Sequence, residues 1–282
     1  MSSPTRAPIS VVVPAYNSAR TIAETLRSVL AQDVDMEVLV LDNASTDGTG
    51  DIVRSVGDPR VVVHRNEALL PLGDNWNRAV RLSRGELVKL VCADDLLGPG
   101  TVAEQADVLA DPGVALVASR HEVIDESGRV LGRDLGLGGL LGRVPSRRLV
   151  ATLVRRGPID FAPTAATMWR RTGFDRAGGF RGRYVFCMDV DLFARIMRYG
   201  EFVGTPGHGA SWRESRFNVS RTRSSLSKLS EMRSSNYQLR RDLPGLVGRS
   251  DLLAGDVRLV RAGLERVRVR SLATVRARPE VV

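Results

Sequence analysis

Short apolar runs and amphipathic segments alternate along the first 118 residues. Five β-branched or aliphatic runs predict buried strands, at residues 9–14, 36–41, 60–64, 87–92 and 114–118. Between them, apolar residues recur at helical spacing in residues 18–31, 49–56, 74–84 and 101–110. Strands that alternate with helices through short connections predict an α/β fold. Its sheet is Rossmann-like, mainly parallel and flanked by helices.

The alternation stops after residue 118. Residues 122–131 predict a β-hairpin that turns at Ser127-Gly128, and 164–169 predict a strand. Five glycines make residues 132–144 a predicted loop, which is either a lid over a site or a plain surface loop. Residues 147–155, 189–199 and the chain from 224 onward predict helices. We therefore expect an α/β half at 1–118, an α+β half of the same domain at 119–220, and a helical C-terminal extension at 221–282.

Composition is ordinary for a globular protein, with 43% apolar and 26% charged residues. No apolar run approaches the roughly 20 residues that a membrane-spanning helix needs, and residues 1–8 contain no apolar signal core. We therefore expect a cytoplasmic protein. Two cysteines, Cys92 and Cys187, are too few for a disulfide framework, so we expect buried free thiols.

The net charge of +9 belongs to the C-terminal quarter of the chain. Residues 205–282 contain 16 Lys and Arg against 7 Asp and Glu, whereas residues 1–204 contain 25 of each kind. A protein that binds single-stranded nucleic acid would have aromatic side chains among these basic residues, but Tyr237 is the only aromatic residue in the sequence after Phe217. We therefore expect no nucleic-acid partner, and a tail that meets another anionic surface.

One segment of that quarter predicts a basic amphipathic helix. One helical face carries Val257, Val260, Leu264 and Val267, and the rest is crowded with Arg258, Arg261, Arg266 and Arg268. Such a helix either lies on an anionic membrane surface or packs on its own domain or a partner subunit. The first reading implies a peripheral protein at the inner face of the membrane.

Polar residues collect where the predicted strands end, at 14–17, 42–45, 65–66 and 93–95. In parallel sheets, ligands bind beyond these carboxyl ends. Asp94 and Asp95 are adjacent carboxylates after a buried strand, and their mutual repulsion would be relieved by a divalent cation. Hard oxygen ligands favour Mg²⁺ or Mn²⁺. The alternative is a solvated turn in which Asp95 caps the next helix.

Two other segments are ambiguous when taken alone. Tyr16, after the first strand, either stacks on a nucleotide base or packs at the edge of the core. Residues 42–49 are typical of an Asx-rich turn followed by a helix cap.

Taken together, residues 11–17, 40–49, 77–86 and 92–96, with Gly178-Gly179-Phe180 ahead of 188–195, resemble the inverting glycosyltransferases of family 2. The resemblance covers residues 9–220. It implies the GT-A fold, with a nucleotide-sugar-binding half at 1–118 and an acceptor-binding, catalytic half at 119–220. It also implies metal-assisted transfer of a sugar, with inversion, from a UDP or dTDP donor to an acceptor hydroxyl.

The resemblance assigns roles residue by residue. The nucleotide would lie against Pro14, Tyr16, Asn17, Asp42, Asn43 and Asp94. Asp94 and Asp95 would hold Mg²⁺ or Mn²⁺. Asp189 stands where the family keeps the general base that takes the proton from the acceptor hydroxyl, and Asp191 is the second candidate. Gly178, Gly179 and Phe180 would form a tight loop close to the sugar or acceptor.

This sequence departs from the family pattern at three places. Cys92 stands where the family often has Asp, and Met188 where an acidic residue usually precedes the base. An Arg-x-His pattern often follows the last core strand, but residues 212–216 contain no histidine. Arg213 or Arg216 is therefore expected to hold the diphosphate.

The sequence is compatible with three classes of acceptor: a saccharide, a lipid-linked sugar or a small molecule. The alternative function is a non-catalytic nucleotide-sugar or glycan-binding protein of the same fold, against which the intact Asp94, Asp95 and Asp189 argue. A nucleotidyltransferase usually has a glycine-rich loop and a lysine after the first strand. Residues 14–17 read Pro-Ala-Tyr-Asn instead.

Overall fold

The computed structural model describes residues 8–158, 161–216, 218 and 223–276, with side chains in the last helix as far as residue 264. Within these residues the strands are β1 Ile9–Ala15, β2 Glu37–Asp42, β3 Val61–Arg65, β4 Leu87–Leu90, β5 Leu96–Leu97, β6 Val114–Ile124, β7 Val130–Leu135, β8 Gly142–Val144, β9 Thr167–Arg170 and β10 Glu201–Arg213. The helices are α1 Ile22–Leu30, α2 Thr49–Ser55, α3 Leu72–Leu82, α4 Thr101–Val108, α5 Ser146–Arg156, α6 Arg171–Ala177, α7 Met188–Ile196, α8 Ser225–Asp242 and α9 Arg249–Arg276.

All the strands belong to one mixed sheet. Its main order is β3-β2-β1-β4-β9-β6-β10-β5, with β7 on β6 and β8 on β10. The first four strands are parallel, as the alternating pattern predicts. All seven residues of β1 are buried, because helices cover both faces of a parallel sheet. Strand β9 then runs antiparallel between β4 and β6.

The second half differs from prediction in several places. Strand β6 continues past the predicted end at residue 118 to Ile124. The predicted hairpin is present and joins β6 to β7. In its turn, the Asp125 side chain accepts hydrogen bonds from the amides of Ser127 (2.9 Å) and Arg129 (3.0 Å). The prediction of a loop over 132–144 is wrong in part, because β7 and β8 lie within it. Leu137 and Leu140 are buried in the core and anchor the segment between β7 and β8.

Long-range pairing explains other differences. The predicted strand 164–169 begins as a 3₁₀ turn at Thr164–Ala166, and pairing starts only at Thr167. Helix α6 follows it directly and was not predicted. Strand β10 is 13 residues long and contains glycine and proline, which weaken any local strand signal.

Helices α8 and α9 pack on the second half of the domain. Leu239, Leu243 and Leu252 belong to the same apolar core as the sheet. The fully buried carboxylate of Asp251 in α9 forms ion pairs with Arg147 (2.8 Å) and Arg155 (2.7 Å) of α5. The C-terminal extension therefore shares its core with the half that precedes it. Across the described residues, every helix is too short or too polar to cross a bilayer.

Candidate functional site

The turn after β4 brings together three side chains that could bind a metal ion. Ligand atoms of Cys92, Asp94 and Asp95 all lie within 4.8 Å of one another. Burial raises the pKa of Asp94. It raises the pKa of Asp95 well above the usual range, and the Asp94 charge adds to that rise. Asp95 is buried and Asp94 is half-buried. Two neighbouring carboxylates that repel each other are stabilised by a divalent cation, so this carboxylate pair fits the predicted Mg²⁺ or Mn²⁺.

Arg213, at the end of β10, holds this turn in place. Its backbone amide donates to Asp95 Oδ1 (3.0 Å), and its Nε donates to the Asp94 carbonyl (2.9 Å). Its Nη2 pairs with Glu24 of α1 (2.7 Å), and the side chain is 3% exposed. This corrects the expectation that Arg213 holds the diphosphate, because its guanidinium is already committed to protein acceptors.

Arg216 lies on the exposed surface beside the β6–β7 hairpin. Its amide donates to Glu126 Oε1 (3.2 Å), and its side chain lines an open cavity together with Asp125, Glu126 and Glu214. These acidic neighbours favour a cation over a phosphate at this place. The phosphate role of Arg216 stays a prediction.

The ends of β1 and β2 form the predicted nucleotide side of the site. Tyr16 is 48% exposed, so its ring is available to a base. Asn17 adopts a left-handed conformation (φ 46°), and its Oδ1 accepts from the Thr46 amide (2.9 Å). Its own amide donates to Ser45 Oγ (3.0 Å), so the two strand-end loops are joined. Pro14 is buried within β1, which corrects its assignment as a nucleotide contact.

Asp42 and Asn43 have protein partners for their side chains. Asp42 is 1% exposed, forms an ion pair with Arg65 and accepts from the Ser45 amide (2.9 Å). Asn43 exchanges two hydrogen bonds with the backbone of Leu70, at 2.9 and 3.0 Å. These partners fix the two side chains at the end of β2. Their contact with the base stays a prediction.

Asp189 lies in the first turn of α7, in a half-buried position. Its Oδ1 accepts from the Val190 amide (2.7 Å). Burial raises its pKa to about 6, and the negative charge of Glu231 adds a smaller rise. A carboxylate with a pKa near neutrality is suited to accept a proton from a hydroxyl, which agrees with the predicted general base.

Asp191, the second predicted base, has a structural role instead. It is fully buried and forms ion pairs with Arg195 (2.8 Å) and Arg181 (3.4 Å). Arg195 also donates to the Gly179 carbonyl (2.7 Å). We correct the assignment of Asp191 as a catalytic residue, because a buried and doubly paired carboxylate does not reach an acceptor hydroxyl.

The predicted tight loop at residues 178–180 is present. Gly178 and Gly179 have positive φ angles of 77° and 72°, and a Cβ on Gly179 would come within 2.5 Å of Asn77 Oδ1. Asn77 exchanges two hydrogen bonds of 2.8 Å with the Phe180 backbone. The Phe180 ring is buried against Trp76, which corrects its assignment as an acceptor contact. Contact of Gly178 and Gly179 with the sugar or acceptor stays a prediction.

Both cysteines are free thiols, as predicted. Burial raises the pKa of Cys92 well above its usual value, and the charges of Asp95, Asp94 and Asp189 each add to that rise. The carboxylates of Asp94 and Asp95 lie within 4.8 Å of the Cys92 thiol, and Asp189 is near enough for its charge to act on that thiol. This links the turn after β4, in the first half, to the start of α7, in the second.

Comparison with known proteins agrees with this geometry. The profile of Glycosyl transferase family 2 matches residues 10–176, more than half of the chain. An uncharacterised protein of Mycobacterium tuberculosis is 32% identical over 210 residues, covering 69% of this chain and 63% of the relative. The chain thus spans less than two thirds of that relative's length.

Solved structures share the fold. The S. aureus protein TarS in complex with UDP-GlcNAc superposes with a TM-score of 0.66 at 18% identity, covering 88% of this chain and 71% of that one. The mannosyltransferase PcManGT of Pyrobaculum calidifontis, in complex with GDP-Man and Mn²⁺, has a TM-score of 0.62 at 20% identity, covering 97% and 82%. The chain has the GT-A fold and belongs to Glycosyl transferase family 2.

Proposed function

We propose that the chain transfers a sugar from a nucleoside-diphosphate donor to an acceptor hydroxyl, with inversion and with Asp189 as the general base. The observation that carries this proposal is that Asp94 and Asp95 lie within 4.8 Å of the Cys92 thiol, while the charge of Asp189 reaches the same thiol and raises its pKa. The carboxylate of raised pKa and the carboxylate pair that fits a metal thus belong to one region of the structure. A single displacement needs both, because the acceptor loses a proton while the nucleotide leaves.

Asp94 and Asp95 would hold the divalent metal, with Cys92 beside them. When bound, Mg²⁺ or Mn²⁺ neutralises the diphosphate and makes the nucleotide a better leaving group. The preference of these ions for oxygen ligands supports this assignment. So does the Mn²⁺ bound by the mannosyltransferase of the same fold.

The residues of this chain would then divide the work. The ring of Tyr16 stacks on the base of a UDP or dTDP donor, within walls formed by the Asp42–Asn43 and Asn17 loops. Asp189 accepts the proton of the acceptor hydroxyl as that oxygen attacks the anomeric carbon. The new glycosidic bond forms on the face opposite the departing diphosphate, which inverts the configuration. The TarS complex with UDP-GlcNAc supports a uridine donor.

Calorimetry with a panel of nucleoside diphosphates tests the donor site, with and without Mn²⁺, on the wild type and Asp95→Ala. We expect one nucleotide to bind at about micromolar strength, near −8 kcal/mol, only with the metal and only to the wild type. Asp189→Asn is the matched control, because it should bind the same nucleotide normally. If no nucleotide binds with or without metal, the proposal is wrong.

Turnover separates the enzyme from a non-catalytic binding protein of the same fold. Release of the nucleoside diphosphate from its sugar, with water or an added glycan as acceptor, should require Asp189. A protein that binds donor and metal but never releases the nucleotide in the presence of acceptors would favour the binding protein.

We also propose that α9 lies on an anionic membrane, where a lipid-linked acceptor would be found. Its face away from the domain exposes Leu253 (66%), Val257 (43%), Val260 (62%) and Leu264 (65%), spaced as one helical stripe. The residues from 205 onward carry a net charge of +9, which complements anionic lipids. Arg258 packs near Gly157 instead of facing outward, and the predicted Val267, Arg266 and Arg268 side chains lie outside the described residues.

Sedimentation with vesicles tests this contact. The wild type should bind phosphatidylglycerol vesicles but not phosphatidylcholine vesicles. The double variant Val260→Glu/Leu264→Glu should lose this binding. Equal binding by the double variant would rule out the stripe as the contact. The cytoplasmic location expected from the sequence stays a prediction.

A further inference from the structure

A glutamate of the C-terminal extension caps the loop that leads to Asp189. Glu231 lies in α8, and its Oε1 accepts hydrogen bonds from three successive backbone amides. These amides belong to Val185 (2.8 Å), Phe186 (2.5 Å) and Cys187 (2.9 Å). The Cys187 thiol donates to the same oxygen at 3.5 Å. A single carboxylate oxygen therefore accepts hydrogen bonds from all three backbone amides of residues 185–187 and from the Cys187 thiol.

This arrangement is strong for physical reasons. Successive amides that point to one place form a nest for an anion, and bonds to an ionised carboxylate are roughly twice as strong as neutral ones. Cys187 is also the N-cap of α7, so the carboxylate sits at the positive end of that helix. Residues 185–187 belong to neither a helix nor a strand, so their amides need an acceptor from elsewhere.

The rest of the loop is held at other points. The Phe180 backbone is bound by Asn77, and Arg181 pairs with Asp242 at the end of α8 (2.6 Å). A Cβ on Gly73 would meet the Gly182 backbone at 2.6 Å, so the loop lies directly on the start of α3. Helix α8 thus supplies two acidic contacts, and Glu231 makes the one nearest to Asp189.

We propose that Glu231 is a positioning residue, which fixes the backbone of residues 185–187 and thereby aims the Asp189 carboxylate at the acceptor hydroxyl. The proposal rests on the proposed role of Asp189 as the base. It makes the C-terminal extension part of the catalytic apparatus, although the family profile ends at residue 176.

The test compares the full-length wild type with Glu231→Ala, Glu231→Gln and a control, Arg233→Gln. Arg233 lies on the same helix about 200° around its axis and pairs with Asp256 of α9. The first readout is hydrogen exchange of the amides at residues 185–187. We expect exchange at least about tenfold faster in Glu231→Ala, because three hydrogen bonds are lost. Glu231→Gln should stay close to the wild type, since its amide oxygen accepts the same bonds.

The second readout is steady-state release of UDP from UDP-GlcNAc with Mn²⁺. Misplacing a catalytic group by about 1 Å costs on the order of 100-fold, so Glu231→Ala should lower kcat by about that factor. The KM for the donor should stay within about twofold, because the base does not bind the donor. Glu231→Gln should recover most of kcat, and Arg233→Gln should behave like the wild type.

The outcomes separate this proposal from the one on which it rests. Wild-type turnover in Asp189→Asn would reject the proposed base. An inactive Asp189→Asn beside a fully active Glu231→Ala would leave the base in place and overturn the positioning role. Unchanged exchange at residues 185–187 in Glu231→Ala would overturn it without any turnover measurement. If Glu231→Ala does not fold, loss of kcat in a folded Glu231→Gln with intact protection of the amides would also overturn it.

Discussion

Asp191 pairs with Arg195 one turn further along α7, whereas the charge of Asp189, two residues earlier, reaches the Cys92 thiol at the turn after β4 and raises its pKa. Successive residues of a helix point about 100° apart, so the two carboxylates face in nearly opposite directions. Asp191 faces the core and its arginines. Asp189 faces the site, where burial raises its pKa to about 6. Substitution of each should therefore have a different effect.

Asp189→Asn should abolish most turnover and leave folding intact. General base catalysis contributes about 10²- to 10⁴-fold, so kcat should fall by roughly that factor. Nucleotide binding and the melting temperature should stay close to the wild type, because the amide keeps the shape and still accepts from the Val190 amide. Steady-state kinetics beside calorimetry would check this, and a variant with normal kcat would remove Asp189 from the mechanism.

Asp191→Asn should instead destabilise the protein. Removing one partner of a buried ion pair leaves the Arg195 charge uncompensated, at a cost of about 3–5 kcal/mol. Chemical denaturation would measure the free energy of unfolding. Asp51→Asn is the matched control, because its pair with Arg54 is exposed and should contribute about 0–1 kcal/mol. Equal effects of the two substitutions would contradict the structural role.

Turnover should depend on pH through the Asp189 carboxyl. A base acts only when deprotonated, and burial raises its pKa to about 6. The value of kcat/KM should therefore fall about tenfold per pH unit below 6 and level off above it. A pH profile in buffers of constant ionic strength checks this. An unperturbed aspartate, near 3.9, would leave the profile flat down to about pH 5.

Much of this site could be predicted because its residues stand directly after buried strands. Tyr16, Asp94 and Asp95 follow β1 and β4, and the carboxyl ends of parallel strands meet at one edge of the sheet. The resemblance ranked Asp189 ahead of Asp191, but the sequence could not show that Asp191 has a structural role, because that role depends on Arg181 and Arg195 folding onto it. Nor could it assign Arg213, whose guanidinium bonds to residues far from it in the chain.

Metal binding should stabilise the protein through Asp95. With Mn²⁺ at about a hundredfold excess over its Kd, stability should rise by about 2.7 kcal/mol, which thermal denaturation would record. Asp95→Asn should lose this rise yet melt no lower than the wild type without metal. The amide removes a buried negative charge and still accepts from the Arg213 backbone. If Asp95→Asn keeps the metal-dependent rise in stability, the ion binds at a site that does not include Asp95.

Tyr16 should contribute to nucleotide affinity through its ring. Stacking of a base on an aromatic side chain is worth about 1–3 kcal/mol, so Tyr16→Ala should weaken binding by roughly 5- to 150-fold. Tyr16→Phe keeps the ring and should bind nearly as the wild type does. Calorimetry on the three proteins gives the comparison, and equal loss in both variants would point to the hydroxyl instead.

The fold could be predicted where periodicity is local. Helices α1 to α4 and the parallel strands follow their own apolar spacing. The part that escaped prediction depends on distant partners: β9 is four residues long and β10 is interrupted by glycines, so neither has a strong local signal. The role of Glu231 has no sequence signal either. One glutamate in a polar helix does not indicate that its side chain accepts hydrogen bonds from three amides 44 to 46 residues earlier.

The insertion of β9 between β4 and β6 has a consequence for how the protein is made. Strand β4 is complete at Leu90, but its neighbour on that side begins at Thr167, after roughly 80 further residues. At about 5–20 residues per second, the ribosome takes about 4–16 s to supply that partner. During this interval the nascent chain carries an unpaired, apolar strand edge, which is a surface that invites association with other chains. The first half of the domain, residues 1–118, therefore completes its sheet only after much of the second half has been translated.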